Sequence, residues 1–278
     1  MKEIIKTIIP NAWTPMVREL YRRVADRTPR IRHSYGDTEK LAALKCAVSY
    51  NKYGGYCIPE SAFHRPAAKA VLSGKVYEPR TIEYMVANCR NRDIIHAGTF
   101  FGDFLPALSG AINPNALVWA FEPNLENFRC AKITLELNEA SNVRLTHAGL
   151  GAKTERLFVQ TADASGRSLG GTSHIVDKTC GAGKKESVDI VTIDDAIPSE
   201  RDIGILQLDV EGYEKEVLLG ALSTIRRCLP LLILEVLPNS TLVQSDWFLK
   251  NIVSLGYENV AKLHGNSVYS CKSIQTCS

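Results

Sequence analysis

The chain has 278 residues, 45% of them apolar and 23% charged, which supplies one sizeable core and excludes long disorder. Two full domains would be a squeeze at this length, and the apolar run in residues 1–10 is too short for a signal peptide or a membrane span. The net charge of +3 is uneven, because residues 1–35 carry eight Lys or Arg against Glu3, Glu19 and Asp26 while the rest is close to neutral.

That basic arm holds Arg18, Arg22, Arg23, Arg27, Arg30 and Arg32. It reads as a solvated helix face, with an anionic ligand or peripheral contact with a membrane surface as the alternatives; nucleic acid is not expected, because no aromatic platform is interleaved with the arginines. Residues 13–27 and 38–50 show apolar residues at helical spacing, and 53–59 and 74–79 read as turn-rich loops. Residues 1–90 are therefore expected to form an N-terminal helical extension or cap, and 91–278 the main domain. Eight cysteines without a C-x-x-C pair or zinc-finger spacing point to reduced, mostly buried thiols and a cytoplasmic protein.

After Arg92 the pattern becomes β-strand alternating with helix, the signature of a mostly parallel sheet covered on both faces. The spacing predicts strands at 93–97, 116–121 and 143–147, with helices at 101–112 and 125–138. Residues 151–186 are glycine-rich and read as loops with one or two short strands. Buried strands return at 188–193, 205–210 and 231–236, the last two separated by a helix over 213–228 whose Val217, Leu218, Ala221, Leu222 and Ile225 share one face. A helix near 246–255 is followed by strands at 258–263 and 267–271, joined by a turn at His264 short enough to make them antiparallel.

In such sheets ligands bind beyond the carboxyl ends of the strands, where strand order reverses. The first strand runs into His96-Ala-Gly-Thr-Phe-Phe-Gly-Asp103, a G-x-x-x-G turn opening a helix, with Thr99, Phe100 and Phe104 around Gly98 and Gly102. Glycine there lets a ligand approach the backbone, but the dinucleotide spacing G-x-G-x-x-G is missing. The second strand ends Phe121-Glu-Pro-Asn124, placing Glu122 where a carboxylate accepts from both ribose hydroxyls. Pro123 stops the strand, Asn124 caps the next helix, and Ala148 and Gly149 leave room for an adenine ring. Asp209 and Glu211 follow another strand and fall on one side of it if the strand persists. Like charges that close raise one pKa, as a base requires, or invite a divalent cation together with Glu235. His174, in the run Gly170-Gly-Thr-Ser-His174, is a further candidate for proton transfer from a covering loop.

These residues resemble the FkbM-type methyltransferases. The resemblance rests on Glu122-Pro123, on residues 188–195, on Leu206-Gln-Leu-Asp-Val-Glu-Gly-Tyr213 with its later Gly220-Ala221, and on the strand ending in Glu235, and it covers about residues 74–236. It implies a Rossmann-like class I methyltransferase fold closed by the antiparallel C-terminal hairpin, S-adenosylmethionine as cofactor, and Tyr77, Glu78 and Thr81 folding over it. Two positions depart from the family: an acidic residue is usual where His96 stands, and Lys where Gln207 stands. Asp103 is then expected to hold the methionine amino group.

The function expected is methylation of a hydroxyl on a sugar, glycan or secondary metabolite, an anionic acceptor included, by a protein that is free to be a homo-oligomer. An NAD-type oxidoreductase and a non-catalytic methyltransferase-like binding module are the alternatives. The first lacks its fingerprint, and Asp209, Glu211 and Glu235 together argue against the second.

Overall fold

The computed structural model describes residues 43–89, 91–176 and 182–271, and Leu44–Ser278 forms one compact unit. The basic arm, the helix expected at 13–27, Cys180 and Cys277 lie outside the described residues.

The first described elements are strands. β1 (Cys46–Asn51) and β2 (Gly54–Pro59) pair antiparallel from Cys46 opposite Pro59 to Asn51 opposite Gly54, where a helix end and a loop were expected. A lone hairpin is marginal in water, and this one is stabilised by burying Tyr56, Cys57 and Ile58 completely. Two helices follow, α1 (Pro66–Leu72) and α2 (Pro79–Asn88), each opened by a proline in its first turn, where the missing N–H has no helical partner to lose.

The main domain then winds as anticipated. β3 (Asp93–Ala97), α3 (Leu105–Ala111), β4 (Val118–Phe121), α4 (Leu125–Leu137) and β5 (Val143–Thr146) form parallel crossovers. α3 starts four residues later than the spacing predicts, because residues 98–104 make the turn that carries the site. Side chains of α4 pair the free edge of β2: Thr134 Oγ1 accepts from the Cys57 N–H at 3.0 Å, and Asn138 Oδ1 accepts from the Gly55 N–H at 3.0 Å.

The glycine-rich middle is more ordered than expected. β6 (Gly149–Leu150), β7 (Glu155–Gln160), β8 (His174–Val176) and β9 (Lys185–Val191) build a separate four-stranded sheet in the order β6-β9-β7-β8. The strand anticipated at 188–193 therefore belongs to this small sheet. Val188 and Ile190 point inward from it while Ser187 and Asp189 face water, an alternation that one-sided packing produces.

A short α5 (Ile193–Ala196) leads to β10 (Ile203–Leu208), α6 (Glu214–Leu219), α7 (Leu222–Cys228), β11 (Leu231–Glu235), α8 (Asp246–Asn251), β12 (Tyr257–Leu263) and β13 (Asn266–Cys271). The helix expected over 213–228 is broken between α6 and α7, because a Cβ on Gly220 would lie 2.0 Å from the Gly151 carbonyl oxygen, so the chain bends there around a close backbone contact. The central sheet runs β12-β13-β11-β10-β3-β4-β5, with β13 antiparallel to both neighbours. This is the Rossmann-like methyltransferase arrangement, with the strand order reversing between β3 and β10. Alternate residues of β10 and β11 feed two cores: Leu206, Leu208, Leu232 and Leu234 pack with Val217, Ile225 and Phe248 on one face, and Ile205 and Ile233 with Met85, Leu105 and Leu108 on the other. Each fully buried aliphatic side chain contributes about 1.5–3 kcal/mol to holding the strand ends in place.

Candidate active site

Beyond the carboxyl ends of β3, β4, β10 and β11 lie two cavities that share Gly98, Gly171 and Asp209. The first is mainly apolar, lined by Phe121, Pro123, Ala148, Gly149, Val210 and Tyr213 with Glu122 at one wall, and it encloses about 40 Å³. The second encloses about 250 Å³ and is polar, with Tyr77, Glu78, His96, Phe100, Asp103, Phe104, Gln207, Glu211 and Glu235 on its walls.

The G-x-x-x-G turn works by conformation. Gly98 has φ 80° and Gly102 φ 84°, left-handed values that other residues resist. A Cβ on Gly98 would stand 1.8 Å from the Asp209 carbonyl oxygen, so the β3 and β10 loops meet as bare backbone. Between the glycines, Phe100 is also left-handed at φ 53°, and that conformation aims its N–H at Glu122 Oε2, 2.7 Å away. Thr99 and Gly102 line neither cavity: Thr99 Oγ1 donates to the His96 carbonyl and the Gly102 N–H to that of Thr99.

Glu122 is buried at 4% exposure, which rules out a surface charge at a strand end. Its Oε1 accepts from the Asn124 N–H at 2.9 Å and from Asn127 Nδ2 at 3.4 Å. Burial nevertheless pushes the carboxyl up to about 8, against those hydrogen bonds. Asn124 caps α4, its Oδ1 accepting from the N–H groups of Glu126 and Asn127, and its Nδ2 donates to Ser173 Oγ at 3.1 Å.

Acids dominate the polar cavity. Burial raises Asp103 to about 7, and burial followed by the charge of Glu235 raises Glu211 to about 7. Asp209 is raised well above the usual carboxylate range by burial and then by Glu235 beside it. Carboxylate oxygens of Asp209, Glu211 and Glu235 lie within 4.8 Å of one another, so the carboxylates anticipated at two strand ends do converge. Glu78, left-handed at φ 44°, accepts at Oε2 from Thr81 Oγ1 at 3.0 Å and from Asn266 Nδ2 at 2.9 Å. Thr81 is thus one shell behind the wall.

His96 and Gln207, the two departures from the family, are register partners on β3 and β10, and His96 Nδ1 contacts Gln207 Oε1. Since that oxygen only accepts, Nδ1 carries the proton and Nε2 the lone pair. The imidazole is 2% exposed, stacks on Phe104 at 5.3 Å, and burial lowers its pKa to about 4, so it is neutral. Its Nε2 has no partner.

His174 opens β8 and lines the apolar cavity, with Nδ1 3.1 Å from the Thr172 carbonyl oxygen. Glu122 and Asp209 line that cavity with it, whereas Glu211 and Glu235 line the polar one alone. Sequence reasoning missed Arg65, which borders the polar cavity and donates to Thr172 Oγ1 at 2.7 Å, and Asn127, which ties Glu122 to the Gly170 carbonyl. A helical side-chain pattern gave no signal for Arg65, because its role depends on where residues 170–173 return; Asn127 was in view as the third residue after a cap.

Among the described residues no helix is long and apolar enough to cross a membrane, and no disulfide joins Cys46, Cys57, Cys89, Cys130, Cys228 and Cys271. No curated protein matches the chain. Similar solved structures include a methyltransferase FkbM from Methylobacillus flagellatus KT, 19% identical over 65% of this chain and 44% of that one, with a TM-score of 0.45; this chain therefore spans less than half of that protein's length. A T. Thermophilus 16S rRNA N2 G1207 methyltransferase, solved with AdoMet and guanosine, is 12% identical over 84% and 52% of the two chains with a TM-score of 0.44. A methyltransferase from Geobacter sulfurreducens is 13% identical over 76% and 86%, with a TM-score of 0.43. The family model described as the methyltransferase FkbM domain matches residues 96–257, more than half of the chain and the whole span from the Gly98 turn to the start of β12, so the chain belongs to the FkbM methyltransferase family.

Proposed function

We propose that the protein is an S-adenosylmethionine-dependent methyltransferase whose acceptor atom is a hydroxyl oxygen on a small molecule or glycan. The observation that carries the reading is the meeting of an apolar and an acidic cavity at Gly98 and Asp209, one suited to a nucleoside and the other to a polar acceptor. The residues fit the cofactor: Gly98 admits a ligand against bare backbone, Glu122 offers carboxylate oxygens to a ribose, and Asp103 stands across the turn for an ammonium. Bound there, S-adenosylmethionine supplies an electrophilic methyl group.

The chain's own residues do the rest. A hydroxyl is too weak an acid to ionise unaided at neutral pH, so a base must take its proton as the oxygen gains the methyl group. Asp209, which borders both cavities, accepts that proton at a carboxylate oxygen, its pKa raised for the task by burial and then by Glu235 and Glu211. His174 borders the adenosine instead. The apolar cavity has room for about three waters, so residues 170–173 give way as the nucleoside enters. Residues 44–89, through Arg65, Tyr77 and Glu78, act as a cap over the polar cavity, and a cytoplasmic setting with reduced thiols belongs to the same reading.

Two measurements test it. S-adenosylhomocysteine should raise the melting temperature while NAD does not, and a labelled methyl donor should transfer label to a hydroxyl of a sugar or metabolite panel. Asp209→Asn should slow that transfer by about 10²-fold or more while S-adenosylhomocysteine still binds. An unchanged rate in both Asp209→Ala and Glu211→Ala would sink the mechanism.

A further inference from the structure

The polar cavity is lopsided in a way that methyl transfer to a plain alcohol does not require. Beside Asp103, proposed above for the cofactor's ammonium, Glu78, Asp209, Glu211 and Glu235 face it against one cation among the described residues, Arg65, whose guanidinium is already engaged by Thr172. The unmet needs are all for donors. Among the described residues His96 Nε2, on a side chain 2% exposed, has no partner, and Glu235, in contact with Asp209, has none at Oε2. A buried acceptor left unsatisfied is costly, so a ligand that supplies its donor gains affinity. His96 and Gln207, in contact with each other, line the same cavity as the acid trio, and the pair is independent of the trio. A ligand that completes the cavity brings N–H or O–H groups and positive charge.

We propose that the acceptor carries a protonated primary amine beside the hydroxyl that is methylated, as a hexosamine does. The inference rests on the methyltransferase reading above and names its substrate class. Glu211 and Glu235, which line the polar cavity alone, hold the ammonium, while Asp209, shared with the nucleoside cavity, faces the neighbouring hydroxyl. His96 Nε2 accepts a further hydroxyl or ammonium hydrogen. The trio's oxygens lie within 4.8 Å of one another, close enough to share one ammonium, whose charge-assisted bonds of about 2.8 Å reach oxygens up to about 4.6 Å apart; a divalent cation is the competing occupant. An anionic acceptor, allowed by the sequence, would meet five carboxylates.

The test uses the whole chain saturated with S-adenosylhomocysteine and measures calorimetric binding of glucosamine, galactosamine and mannosamine against glucose, galactose, mannose and their uronates. At least one hexosamine should bind about tenfold or more tighter than its parent sugar, and no uronate should bind better than its parent. In Glu235→Gln and Glu211→Gln that preference should fall to near unity while S-adenosylhomocysteine affinity is kept. His96→Phe should weaken the same amine with Phe104 stacking retained, and circular dichroism checks that each variant is folded. Equal binding of amine and parent sugar, a preference for uronates, or stoichiometric magnesium binding that hexosamines do not displace would each overturn the proposal. If S-adenosylhomocysteine itself fails to bind the wild-type protein, the methyltransferase reading falls first and takes this inference with it.

Discussion

In the proposed binding mode Glu122 has two tasks, because the carboxylate that fixes the Gly98 turn through Phe100 is also the one offered to a ribose. With its carboxyl pushed to about 8, the empty site is largely protonated at neutral pH, and ribose hydroxyls bind the ionised form. Affinity for S-adenosylhomocysteine should therefore rise between pH 7 and 9. Glu122→Gln, which keeps shape but cannot ionise and sets an amide NH2 against one of the two backbone N–H donors, should bind about tenfold or more weakly and lose the pH dependence; a variant that keeps a rising profile would clear Glu122 of the role. Asp93 shows the structural counterpart. It is 3% exposed and accepts from Trp119 Nε1 at 2.7 Å, from the Leu117 N–H at 2.9 Å and from Arg201 Nε at 2.7 Å, at the amino end of β3, away from the ligand. Asp93→Ala strands a partly buried guanidinium and should cost about 3 kcal/mol in urea unfolding, with cofactor affinity per folded molecule unchanged.

At the scale of elements, the ties between α4 and β2 carry a prediction. Thr134→Val keeps shape but removes the acceptor for a buried N–H, and should cost about 1–3 kcal/mol. Amide exchange should quicken first in β1 and β2 and leave β3 and β10 protected. Those ties also explain what the sequence concealed. β3, β4 and β5 were legible because each is a short apolar run feeding a helix, with its pairing dictated by neighbours of the same kind. The hairpin was not, because Gly54, Gly55 and Pro59 read as turn residues and the partners of β2 are side chains some eighty positions away. The small sheet was half legible: its strands bury one face, so their apolar residues alternate and are easily taken for loop. The site fared better, since Gly98, Glu122, Asp209 and Glu235 all lie at strand ends, where the topology forces convergence. Arg65 comes from the stretch whose architecture was misread.

For the whole molecule, the buried acids set how stability varies with pH. Glu122 at about 8 and Asp103 and Glu211 at about 7 stand above the values near 4 of an unfolded chain. Between those limits the folded protein holds more protons than the unfolded one, so stability falls as pH rises. The melting temperature of the ligand-free protein should decline from pH 5 to 8, and Asp103→Asn with Glu211→Gln should flatten the slope; a melting temperature that climbs over that interval would contradict the burial of these groups. A cationic ligand filling the polar cavity should reverse the decline, because it stabilises the ionised forms.

The bend between α6 and α7 has a mechanical meaning. Gly220 presses on the Gly151 carbonyl, and a Cβ on Gly151 would in turn meet Ile190 at 2.6 Å and Tyr213 at 3.4 Å. The small sheet is thus shimmed against its neighbours by the thickness of two absent methyl groups, beside the cavity that Leu150 and Tyr213 both line. Adding either methyl would act like a wedge there and should alter which nucleoside the proposed site admits.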